Sequence, residues 1–156
     1  MNRIRIRSFT YGALLLMAAS MAGAQELANL GELLDKGGKR LDAVELKTLL
    51  TGATASGMTL RPGSTVEFEL TYGADGKANG RLYGPQFNPN YSIDSDMRGT
   101  WRINEQQQLC TDLFARAFGQ QKACASYYIL NNVYYSAASE DRGANVRSRK
   151  VTQQSR

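Results

Sequence analysis

The chain contains no histidine. That single absence removes Ser-His-Asp and Cys-His catalysis, any histidine-ligated metal, and the commonest general base near neutral pH. Cysteine is scarce as well, with two among 156 residues, too few for a cysteine-built zinc site. Beyond the first 24 residues no stretch approaches about 20 uninterrupted apolar side chains, so no membrane-spanning helix is expected. No cofactor-binding pattern is present, and none is expected. A large excess of one charge sign is also missing. The chain as a whole has 19 basic and 14 acidic residues, but Arg3, Arg5 and Arg7 stand at its very start, and without them the surplus falls to +2. Residues 140–156 carry five basic against two acidic residues, which leaves 25–139 at 11 against 12. A near-neutral body offers no basic stripe for nucleic acid, and that class of partner is excluded.

What is present begins with an address. The three arginines, the apolar stretch from Tyr11 to Met21 and the small-x-small Ala22-Gly23-Ala24 form an export signal with cleavage after Ala24. The expected product starts at Gln25, resides in a periplasm and spans no membrane. In an oxidising space the even pair Cys110 and Cys124 reads as a structural disulfide, because 13 residues separate the two, unlike the short spacing of redox motifs.

Leu27, Leu30, Leu33 and Leu34 recur at helical spacing up to Gly37-Gly38. A second helix starts at Asp42, with Glu45 completing a capping box and Leu41 positioned to staple onto Leu46, and stops at Gly52. The period then becomes two. Val66, Phe68, Leu70 and Tyr72 alternate with Thr65, Glu67, Glu69 and Thr71, and the Gly73–Lys77 turn leads into a partner strand over Ala78–Tyr83. Pro85, Pro89, Asn88, Asn90, Asp94 and Asp96 give Gln86–Arg98 the composition of a long surface loop. Thr100–Ile103 and Leu109–Phe114 are the next strands, and Ala123–Leu130 pairs with Val133–Ala137 through Asn131-Asn132, since asparagine tolerates positive φ. The tail adds a short strand around Val146 or stays disordered.

These elements predict an α+β domain over 25–139, two short N-terminal helices covering a bent antiparallel sheet or small barrel of about six to eight strands, followed by a basic tail over 140–156. The succession Leu41–Gly52 (LDAVELKTLLTG), the turn at Gly76, Gly99-Thr100-Trp101, Leu109-Cys110 and Cys124-Ala125-Ser126-Tyr127-Tyr128 resembles a family of small exported proteobacterial proteins of unknown function. The resemblance implies a periplasmic protein with the helix, the G-x-W strand and the paired cysteines as structural marks. It implies no catalytic residues.

Candidate sites are accordingly few. Glu67 with Glu69, or Asp94 with Asp96, offer carboxylate pairs for a hydrolase of envelope polymer, but alternate residues on a wet strand face are ordinary solvated charges. Asn90, Asp94 and Asp96 offer oxygens to a hard cation without the spacing of a standard calcium loop, so no metal site is assigned. The aromatic set Trp101, Tyr127, Tyr128, Tyr134 and Tyr135 is the main candidate binding surface; in each Tyr-Tyr pair one ring must point opposite to the other. The sequence therefore favours a non-enzymatic binding domain that takes an unknown protein or small ligand of the cell envelope through the sheet face or the Gln86–Arg98 loop with its Asn90, Asp94 and Asp96. Inhibition of an envelope-directed hydrolase and carboxylate-dependent hydrolysis are the alternatives.

Overall fold

A computed structural model describes residues 27–61, 64–85 and 92–153. The export signal, with its cleavage point, lies outside the described residues. Among the described residues nine strands and two short helices follow one another in the order α1 (Leu30–Asp35), β1 (Lys39–Arg40), α2 (Ala43–Leu50), β2 (Ala53–Arg61), β3 (Ser64–Tyr72), β4 (Lys77–Pro85), β5 (Ser92–Ile103), β6 (Leu109–Ala115), β7 (Gly119–Leu130), β8 (Val133–Ala137) and β9 (Val146–Gln153). Strands β2 to β9 pair antiparallel with their sequence neighbours, and β9 returns to pair with β2, so the sheet closes on itself as an eight-stranded barrel. The short β1 adds to β7 from outside the ring.

The α+β expectation is therefore corrected: the fold is all-β. The helices hold only six and eight residues and form no covering layer. Their stop signals are the reason, since Gly37 and Gly52 both take positive φ directly after each helix. Instead α2 plugs one end of the barrel. Asp42 accepts from the amides of Val44 and Glu45 while the Glu45 carboxylate accepts from the Asp42 amide, the capping box its sequence announced. Leu46 and Leu50 are fully buried against the ends of the strands, and Gln153 Nε2 donates to the Leu49 carbonyl at 2.8 Å. The first helix lies outside the barrel, where Leu27, Leu30 and Leu33 pack on Tyr128 and Tyr135.

Two further expectations change. Asp94 and Asp96 belong to strand β5, which already begins at Ser92 and pairs with β4 along its whole length, so the loop expected over Gln86–Arg98 is at most its first part. Polar residues mark the outer face of a barrel strand as readily as a loop, and here they diluted the alternation. The domain also runs past Ser139, because Val146–Gln153 is the strand that closes the ring.

Interior glycines allow the sheet to coil this tightly. A Cβ on Gly80 would stand 1.9 Å from the Glu69 carbonyl oxygen, and one on Gly99 would stand 2.0 Å from that of Asp112. The Cys110–Cys124 disulfide forms across directly opposed residues of β6 and β7, which ties that hairpin. No helix among the described residues is long and apolar enough to cross a membrane. The barrel's outer face carries Glu67, Glu69, Arg81, Asp94, Asp96 and Lys122, the reverse of the apolar band that a lipid-facing barrel needs.

Candidate functional site

Inside the barrel lies a cavity of about 190 Å³. Strand alternation builds its wall: Phe68, Leu70, Leu82, Met97 and Leu113 all occupy inward positions of β3 to β6. On the opposite side β2 offers little bulk, because its inward residues are Ala53, Ala55, Gly57 and Thr59. Arg149 of β9 fills part of the space this leaves. An added Cβ at Gly57 would stand 2.8 Å from Arg149 Nη1, so the glycine is what admits the guanidinium there.

Arg149 is held from several directions. Its Nη1 donates to the carbonyls of Met58 at 3.0 Å and Ser148 at 3.2 Å, and its guanidinium lies 5.1 Å from the centre of the Phe68 ring. The Tyr127 hydroxyl shares hydrogen bonds with Tyr72 and with the guanidinium. Burial pushes the Tyr72 phenol well above its ordinary value and raises that of Tyr127, against which Arg149 pulls downward, so both phenols stay protonated at any physiological pH. Burial lowers the guanidinium of Arg149; Tyr127 opposes this and the nearby Arg147 adds to it. Arg147 Nη1 lies 3.5 Å from Thr59 Oγ1. No carboxylate of the described residues forms an ion pair with either arginine.

The predicted aromatic set divides between two environments. Tyr127 lies inside, beside the cavity, and Tyr134 packs half-buried against the same core. Trp101 is buried in the same core: its ring meets Tyr72 edge-on at 5.5 Å, and its Nε1 donates to the Gly73 carbonyl at 2.8 Å. Tyr128 and Tyr135 point outward, as the alternation requires, yet they are buried beneath the first helix and lie outside the lining of the barrel cavity. An exposed aromatic binding face is therefore not what the five residues make.

The carboxylates stand elsewhere. Asp94 accepts both oxygens' bonds from Arg81 Nη2 at 2.7 Å, and Asp96 lies 3.9 Å from Arg81 Nε, all on the exposed outer face. Glu67 and Glu69 share that face. Asn90 lies outside the described residues. Among those that are described, no group of three or more metal-ligating side chains converges.

Sequence reasoning missed Arg147 and Arg149. The available signal was the alternation of Val146 to Gln153, in which every second residue from Arg147 to Gln153 shares a face with Val151. Neither a family model, a curated protein nor a solved structure matches this chain.

Proposed function

We propose that this protein is an exported, non-enzymatic binding protein of the cell envelope that takes a small ligand inside its barrel. The cavity carries this reading: a mostly apolar wall with polar groups that include Tyr72, Tyr127 and Arg149 is the composition of a small-molecule site. Its volume of about 190 Å³ suits a compound of one ring or a short chain, given that a 150 Å³ apolar cavity takes benzene. The disulfide supports maturation in an oxidising compartment. The carboxylates of the hydrolase alternative lie on the convex outside, where Arg81 already engages Asp94 and Asp96.

Titration of the isotopically labelled protein with compounds the size of indole or smaller tests the reading. Amide shifts are expected at Leu70, Met97, Leu113 and Tyr127, and Leu113→Trp, which fills the cavity, is expected to abolish them. Shifts confined to the outer strand faces would refute it. Mass spectrometry of protein recovered from the periplasm is expected to show a chain beginning at Gln25, and an intact Met1 would count against export.

A further inference from the structure

We infer that the cavity selects a small organic carboxylate, with Arg149 receiving the carboxylate group and the apolar wall receiving a short hydrocarbon tail. This inference rests on the reading of the cavity as a ligand site and adds the ligand's chemical class.

The first observation is how the barrel sorts its charges. The acidic residues on the described barrel strands, Glu67, Glu69, Asp94, Asp96 and Asp112, sit at exposed or outward positions, whereas Arg149, half-buried on β9, lines the cavity, and Arg147, two residues away on the same strand face, reaches Thr59. The interior therefore holds positive charge with no carboxylate of its own. An ion in such surroundings is stabilised by an opposite charge brought in from outside.

The second observation is unused donor capacity. A guanidinium presents five N–H donors in a planar fork. In Arg149 one nitrogen serves the carbonyls of Met58 and Ser148, and Tyr127 engages the group once more. The rest of the fork remains for a bidentate acceptor. The Tyr127 hydroxyl accepts from Tyr72 and from the guanidinium, so of the two phenols it is Tyr127 whose own proton remains as a donor beside the same point.

The third observation concerns what lies away from that point. Leu70, Leu82, Met97 and Leu113 offer nothing to hydrogen-bond, and the neutral Thr111, Gln121 and Ser136 that also line the cavity replace only part of the water that a fully hydrated inorganic anion would lose there. A carboxylate with a short alkyl or aryl tail satisfies both ends. Arg147, close enough for its charge to be felt at Arg149, strengthens the field without needing to touch the ligand.

The test compares hexanoate, hexanamide, hexylamine and inorganic phosphate by amide shifts of the labelled protein. Hexanoate is expected to bind at least about tenfold more tightly than its neutral amide, as charged hydrogen bonds usually allow. Hexylamine is expected to leave the cavity amides unmoved. Arg149→Gln should bring hexanoate down to the level of hexanamide while hexanamide itself is unchanged, and Tyr127→Phe, which keeps the ring, should weaken hexanoate alone. Equal binding of hexanoate and hexanamide at the cavity would overturn the anion preference while leaving the cavity reading intact. Phosphate binding as tightly as hexanoate would overturn the role of the tail. If none of the four moves the cavity amides, the cavity reading falls and this inference with it.

Discussion

Replacing Gly80 with alanine tests whether the barrel is as tightly coiled as described. Gly80 stands on β4 between Leu70 and Met97, and the ideal Cβ of an alanine there would lie 1.9 Å from the Glu69 carbonyl oxygen, 2.8 Å from the Leu70 Cα and 2.9 Å from the Glu69 carbonyl carbon. All three atoms are backbone, so no rotamer change relieves the clash. Restoring an ordinary contact near 3.5 Å requires β3 and β4 to part by about 1.5 Å, in a sheet whose strands are about 4.8 Å apart. Overpacking of this kind costs about 1–3 kcal/mol where side chains can adjust. With backbone on the other side a cost of at least about 3 kcal/mol is expected, a fall in Tm of roughly 10 °C for a domain of this size. In an uncrowded strand the same change removes glycine's extra unfolded-state entropy and is favourable by about 0.5–1 kcal/mol, so the sign alone is diagnostic. Urea unfolding followed by the fluorescence of Trp101, the chain's single tryptophan, gives the measurement. Gly143→Ala serves as control, because nothing lies within 4 Å of its added Cβ, and a change within about 0.5 kcal/mol is expected. A Gly80→Ala protein as stable as the parent, with an unchanged denaturant slope, would refute the close approach of β3 and β4.

Serine at both Cys110 and Cys124 opens a bridge between residues 14 apart and is expected to lower unfolding free energy by about 3 kcal/mol, measured by guanidinium unfolding of the variant against the oxidised parent. Trp101→Phe strips the Gly73 carbonyl of its indole donor and should cost about 1–3 kcal/mol in the same assay. Alkaline titration should unfold the barrel: Tyr72 and Tyr127 have folded values raised above 10.0, so the stability they contribute is complete below that value and is lost as pH rises through the folded one. Circular dichroism should track tyrosinate absorbance there, and the Tyr72→Phe, Tyr127→Phe double variant should resist to higher pH. Arg149→Met should leave the ligand-free protein about as stable as the parent, within about 1 kcal/mol, since it removes a partly buried cation lacking a counter-charge. A loss of several kcal/mol would assign Arg149 to the framework instead.

Much of the frame was legible because its signals are local. Asp42 and Glu45 announced α2 through a capping box that needs only four residues, and Asn131 and Asn132 announced the β7–β8 turn, where they take φ of 50° and 62°. Val66, Leu70 and Tyr72 showed their burial by alternation alone. Gly99 and Trp101 also acquire physical meaning from the fold: the glycine permits the approach of β6, and the tryptophan fastens the Gly73 turn onto β5. A small barrel was one of the two arrangements the strand count allowed, but the pair that closes it was not legible, because closure depends on β9 returning to β2, two strands separated by almost the entire domain. Each of them hides its pattern. The inward face of β2 carries alanine and glycine where a strand normally shows bulk, and that of β9 carries Arg147 and Arg149 where apolar residues are expected.

The two strands that concealed the fold are the two that make the site, and the reasons coincide. Small inward residues on β2 leave the interior incompletely filled, and Gly57 in particular leaves room for the Arg149 guanidinium. A β2 with leucine or valine at those positions would have read plainly as a strand, but it would have packed the barrel solid and excluded the arginine. Counting charges along the chain missed the same feature. The basic surplus of residues 140–156 reads as a basic tail, but Arg149 lines the cavity and Arg147 reaches Thr59 beside it. Topology converts a surplus spread along the chain into an uncompensated positive charge beside an apolar cavity. A sequence optimised only for stability would place neither the gap nor the unpaired cations there, which is why their combination points to a ligand and not to packing.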